Sequence, residues 1–72
     1  MGIERKSIQR GGIKSAGYDR AQRVLEIEFD GGRIVQHTSV GEEIARRFLA
    51  SGSPMSYYRD NIEDEFSQRA VR

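Results

Sequence analysis

The chain has no cysteine, no tryptophan, one histidine and one proline in 72 residues. Without cysteine there is neither a disulfide framework nor a thiolate zinc site. A lone histidine leaves no multi-histidine metal site. Charge of one sign is also missing: twelve Lys and Arg stand against eleven Asp and Glu, a net charge of +1. That is not the strongly basic chain of a dedicated nucleic-acid arm. No apolar run approaches the roughly 20 residues of a membrane span. The start, Met1 to Lys6, carries charge without the apolar stretch that a signal peptide needs. The expectation is a soluble, cytoplasmic protein.

What remains is ordinary globular composition, 36% hydrophobic and 32% charged, in a length that allows one domain. Charge is uneven along it. Residues 1–23 carry Arg5, Lys6, Arg10, Lys14, Arg20 and Arg23 against Glu4 and Asp19, while residues 24–72 are net acidic. Residues 1–10 are polar apart from Met1, Gly2, Ile3 and Ile8, and read as a flexible tail that ends at Gly11-Gly12. The domain is expected over 11–67, with 68–72 as a C-terminal tail.

Ile13 to Tyr18 is a short strand candidate, and Asp19 to Gln22 a polar turn. The strongest strand signal is Arg23 to Phe29, in which Leu25, Ile27 and Phe29 face one way and Val24, Glu26 and Glu28 the other. Asp30-Gly31-Gly32 then makes a hairpin, because glycine supplies the positive φ that tight turns need. Arg33 to Ser39 returns as a third strand. Three strands joined by short turns form an antiparallel meander.

The period then changes. Val40, Ile44 and Phe48 recur every four residues, the stripe of an amphipathic helix. Ser39 and Glu42 form a capping box that starts this helix near Val40, and Gly52 ends it. Ser53-Pro54 starts a second helix, where Tyr58, Ile62 and Phe66 repeat at four and the pattern continues toward Arg69. Both helices need the Leu25-Ile27-Phe29 face to cover. The expected fold is α+β: a three-stranded antiparallel β-meander packed against one longer and one shorter helix.

Chemistry-bearing residues are few. His37 has no carboxylate nearby in sequence to orient it as a general base. Its side of the sheet depends on the hairpin: a two-residue loop turns it outward, and a three-residue loop turns it inward. Asp60, Glu63, Asp64 and Glu65 lack the alternating ligands and glycine turn of a calcium loop and read as a solvated helix face. Arg46 and Arg47 each follow a glutamate by four residues and read as helical ion pairs with Glu42 and Glu43. Of the adjacent tyrosines, Tyr58 fits the apolar stripe, which leaves Tyr57 more exposed and free to stack. Nothing marks a catalytic set, a metal site or a cofactor motif, so a non-enzymatic domain is expected.

The run Ile13-Lys14-Ser15-Ala16-Gly17-Tyr18-Asp19, then Leu25 to Gly32, Ala50 to Ser53, Tyr57-Tyr58, Ile62 and Phe66 resembles the KTSC domain. That family is named for a domain at the C-terminus of some lysyl-tRNA synthetases and also occurs as small stand-alone bacterial proteins. Its function is unknown, and the synthetase context implies RNA as a partner. The family's third strand carries a Tyr-x-Tyr motif, whose positions here are Val35 and His37. Gly41 stands where the family has proline, Met55 where it has glycine, and Glu63 where it has arginine. The resemblance therefore implies a small binding domain whose RNA contacts would be cationic or aromatic groups near the sheet: Lys14, Arg20, Arg23, Arg33, His37 and Tyr57. The alternative is a protein-interaction module or homodimer that uses a sheet edge or a helix face.

Overall fold

The computed structural model describes residues 3–72; Met1 and Gly2 lie outside the described residues. Seven elements follow in order: β1 (Lys6–Arg10), β2 (Ile13–Asp19), β3 (Val24–Phe29), β4 (Ile34–His37), α1 (Glu42–Ala50), α2 (Pro54–Asn61) and β5 (Gln68–Ala70). All strand pairs are antiparallel, in the sheet order β1-β2-β3-β4-β5. The α+β class and the central meander are as expected, but the sheet has five strands rather than three. The two added strands are the segments read as tails. Both are polar and lie on the sheet's edges, with one residue of β1 partly covered and β5 fully exposed. Strands of that kind carry no apolar alternation to mark them.

The β3–β4 hairpin settles the side on which His37 lies. Phe29 N–H donates to Arg33 C=O at 2.8 Å, and Gly31 and Gly32 both hold positive φ. Ile27 therefore lies opposite Val35, and Leu25 opposite His37. His37 faces the helices and is fully buried.

The core fills the space between this face and the two helices. Ile13, Ala16, Leu25, Ile27 and Val35 meet Val40, Ala45, Phe48, Tyr58 and Ile62 there. Tyr58 sits at the centre, edge-on to Phe29 with ring centroids 5.5 Å apart, an arrangement that favours aromatic pairs.

The helix ends differ from the expected ones. Ser39 holds φ +62° and does not cap; α1 starts at Glu42 from an extended Gly41. Glu42 and Glu43 in the first turn complement the helix dipole instead. Gly52 has no positive φ, and the helix stops through an extended Ser51. Helix α2 starts at Ser53-Pro54 as expected but ends at Asn61, not at Phe66. Glu63, Asp64 and Glu65 would sit against the negative end of the dipole in a longer helix. The chain turns there, and Ile62 and Phe66 still reach the core from the turn.

Candidate functional site

The residues of the Gly-Tyr-Asp run each fix a local feature. At Gly17 the N-terminal segment crosses the sheet so closely that a Cβ would lie 2.0 Å from the Glu4 carbonyl oxygen. The Tyr18 hydroxyl donates to the Val40 carbonyl, tying β2 to the entry of α1; burial raises its pKa. Asp19 Oδ1 accepts from the N–H groups of Ala21 and Gln22 at 2.9 and 3.1 Å, which shapes the turn into β3.

The expected contact residues do not form one patch. Lys14 and Arg33 lie at the end of the sheet that carries the β1–β2 turn and the β3–β4 hairpin. Arg20 and Arg23 lie at the other end, where Arg20 pairs with Glu42 at 3.4 Å. Tyr57 is half-buried against the core. His37 cannot touch a ligand at all: it has no exposed surface, and its Nε2 bonds the Tyr58 hydroxyl at 2.8 Å. Its Nδ1 makes no well-formed hydrogen bond, although the Phe66 and Ser67 backbone faces the ring. Burial pushes the imidazole pKa down, and the Phe66 and Ser67 backbone and the Glu63 charge oppose this only in part. The same geometry places Val35 and His37, the positions of the family's Tyr-x-Tyr motif. Both point into the core and not onto the open face of the sheet, so an aromatic pair there would be a packing feature in this fold.

The end with the paired glycines gathers cations. Arg10, Gly11, Gly12, Lys14, Asp30 and Gly31 line a shallow hollow of about 430 Å³. Arg33 follows the β3–β4 hairpin with its guanidinium 5.1 Å from the Phe29 ring centre, and Arg72 Nε donates to Gly32 C=O at 3.2 Å. Asp30 is the one exposed acid in this group.

A second hollow, about 730 Å³, runs between α1 and the end of β2 that residues 3–6 cross. Ala16, Tyr18, Ala45 and Leu49 give it an apolar floor, with Lys6 and Arg46 on the rim. Leu49 is 39% exposed here, on the side of α1 that the sheet does not cover. The expected Glu42–Arg46 pair is absent because Glu42 turns to Arg20, whereas Glu43 and Arg47 do pair, at 3.2 Å.

The outer face of the sheet holds what the sequence pattern did not reveal. Glu26 and Glu28 point away from the core as expected, yet both are buried, at 5% and 8% exposure. Arg5 lies across them: Nε donates to Ser15 Oγ at 3.0 Å, Nη1 to Glu26, and Nη2 sits 3.7 Å from Glu28. Arg72 reaches Glu28 at 3.4 Å, and Gln36 donates to Glu26 at 2.8 Å. The Ser15 hydrogen bond, with Lys14, Arg5 and Arg72, holds the Glu28 carboxyl below its ordinary value. Val24 and Ile34, apolar residues on this same face, are the sequence signal that it is covered.

Among the described residues no helix is long and apolar enough to cross a membrane. The chain is similar over its whole length to a KTSC domain protein from Yersinia pestis, seen in a crystal structure: the TM-score is 0.90 at 28% identity, covering 99% of this chain and all of that one. It is 31% identical over 51 residues to an uncharacterized protein of Stutzerimonas stutzeri strain A1501, 71% of this chain and 72% of that protein. The KTSC domain matches residues 11–66. The chain belongs to the KTSC domain family, whose function is unknown.

Proposed function

We propose that this is a non-enzymatic binding domain that contacts the phosphate backbone of RNA through the paired-glycine end of its sheet. The observation that carries the reading is the grouping of Arg10, Lys14, Arg33 and Arg72 around two turns, with Asp30 as the exposed acid among them. Phosphate contacts of this kind position a nucleic acid without reading its sequence. The sheet offers no base-stacking platform, because the aromatic side chains face the helices or pack against the core. Arg20 and Arg23 belong to the opposite end and take no part.

Amide NMR with a structured RNA pool that includes tRNA tests this. Shifts should centre on Gly11, Gly12, Lys14 and Gly31 to Arg33. Four neutralised phosphates give a salt slope of about −3 on single-stranded RNA, a roughly fifty-fold weakening between 50 and 200 mM salt. No shifts with excess RNA at low salt, or shifts centred on Arg20 and Arg23, would sink the reading. Exposed Leu49 in the hollow beside α1 favours a second reading, a protein partner docked there. Its binding would survive high salt and be lost in Leu49→Asp.

A further inference from the structure

We propose that the outer face of the sheet carries a guanidinium-recognition site, filled in cis by Arg5, that takes an arginine side chain from a protein partner. It shares Arg72 and the charge of Lys14 near Glu28 with the cationic end of the sheet and does not depend on RNA binding.

Three acceptors converge on one planar cation. Ser15 Oγ, Glu26 and Glu28 each face a different nitrogen of Arg5. This fork geometry suits guanidinium and not the point charge of an ammonium. The acceptors are held in place from behind: Gln36 fixes the second oxygen of Glu26, and Ser15 Oγ donates to Glu28 at 2.9 Å. Both carboxylates sit on the central strand, and carboxylates that far from water need a cationic partner.

The occupant comes from outside the matched residues. Ser15, Glu26, Glu28 and Gln36 all lie within the matched residues 11–66, whereas Arg5 and Arg72 lie beyond its two ends. The matched region therefore holds a charge-demanding site that its flanks fill. Ile3 to Arg5 is not in a strand, and the β1 edge that follows is irregular, with a register shift between Ser7 and Arg10 and a positive φ at Gln9. Such segments open at low local free energy. When Arg5 leaves, two buried carboxylates and two polar side chains remain, a surface complementary to arginine.

The full chain carrying Arg5→Ala is the test protein, with N-ethylguanidinium and N-ethylammonium as probes at equal ionic strength. Ethylguanidinium should raise the melting temperature saturably and shift the Glu26 and Glu28 side-chain carboxyl signals in carbon-detected NMR. Ethylammonium should do neither, and Glu26→Gln with Glu28→Gln in the same background should remove the response. A short arginine peptide should reproduce the shifts, and its lysine counterpart should not. If Arg5→Ala does not fold, the arginine and lysine peptides are titrated against the parent protein, where only the arginine peptide should displace Arg5 and shift the Glu26 and Glu28 carboxyls. Equal responses to the two cations, or unmoved carboxyls, would overturn the site. A parent protein that dimerises by exchanging its N-terminal segments would overturn the foreign partner.

Discussion

His37 should make the fold acid-sensitive as pH falls below the ordinary imidazole value. Burial lowers its pKa from the ordinary 6.5, so the folded chain keeps it neutral while the unfolded chain protonates it. Stability is therefore complete above pH 6.5 and falls as pH drops below that value, until the folded imidazole itself takes a proton. The slope is at most about 1.4 kcal/mol per pH unit. If the folded imidazole stays neutral throughout, the loss from pH 7.5 to 5.5 is about 1.4 kcal/mol. For a domain of this size that is a drop of about 6–11 °C in Tm. Glu28 acts elsewhere: its lowered pKa contributes stability that is lost only as pH falls through the folded value, below the ordinary 4.5. Tyr58 and Glu63 are the ionisable groups that face His37. Melting followed by circular dichroism at pH 7.5, 6.5 and 5.5 gives the slope. His37→Gln can still bond the Tyr58 hydroxyl but cannot titrate, and it should flatten the curve. His37→Phe with Tyr58→Phe removes both polar partners together and should flatten it too. A parent-like slope in both variants would refute the assignment to His37.

Two other substitutions probe the packing. Gly17→Ala forces the Glu4 carbonyl away and should cost about 1–3 kcal/mol in urea unfolding, with broadened amides for residues 3–6. An unchanged midpoint would show that the N-terminal segment does not seat on the sheet. Phe48→Ala empties the centre of the core beneath α1 and should cost about 3–5 kcal/mol, enough to leave much of the chain unfolded at 25 °C by the same measurement.

The parts of the fold legible in the sequence are those where one face is apolar and the other polar. Val24 to Phe29 and the Ile44-Phe48 stripe meet that condition, and both elements form, although the ends of α1 differ from the expected ones. Lys6–Arg10 and Gln68–Ala70 do not, because an edge strand with little or no buried surface is held by backbone hydrogen bonds that any polar residue can make. The end of α2 was hidden for a different reason: Ile62 and Phe66 keep the helical spacing although the acids between them turn the chain. Of the candidate site residues, Lys14 and Arg33 share one end of the sheet, but their partners Arg10 and Arg72 come from segments read as tails. The side on which His37 lies hung on one residue of hairpin length, which composition does not encode.

The chain enters the sheet at one edge, through β1, and leaves it at the opposite edge, through β5. It also enters near the Asp19–Val24 end and leaves near the Phe29–Ile34 end, since Arg72 closes on Ile34. A tension applied between the termini therefore has a component along the strands as well as one across them. The hydrogen bonds of an antiparallel pair lie across the strand direction, so the first component loads the β1–β2 and β4–β5 ladders in shear. Unzipping would break them one at a time. A domain built this way and joined at both ends to larger partners would act as a stiff link under load.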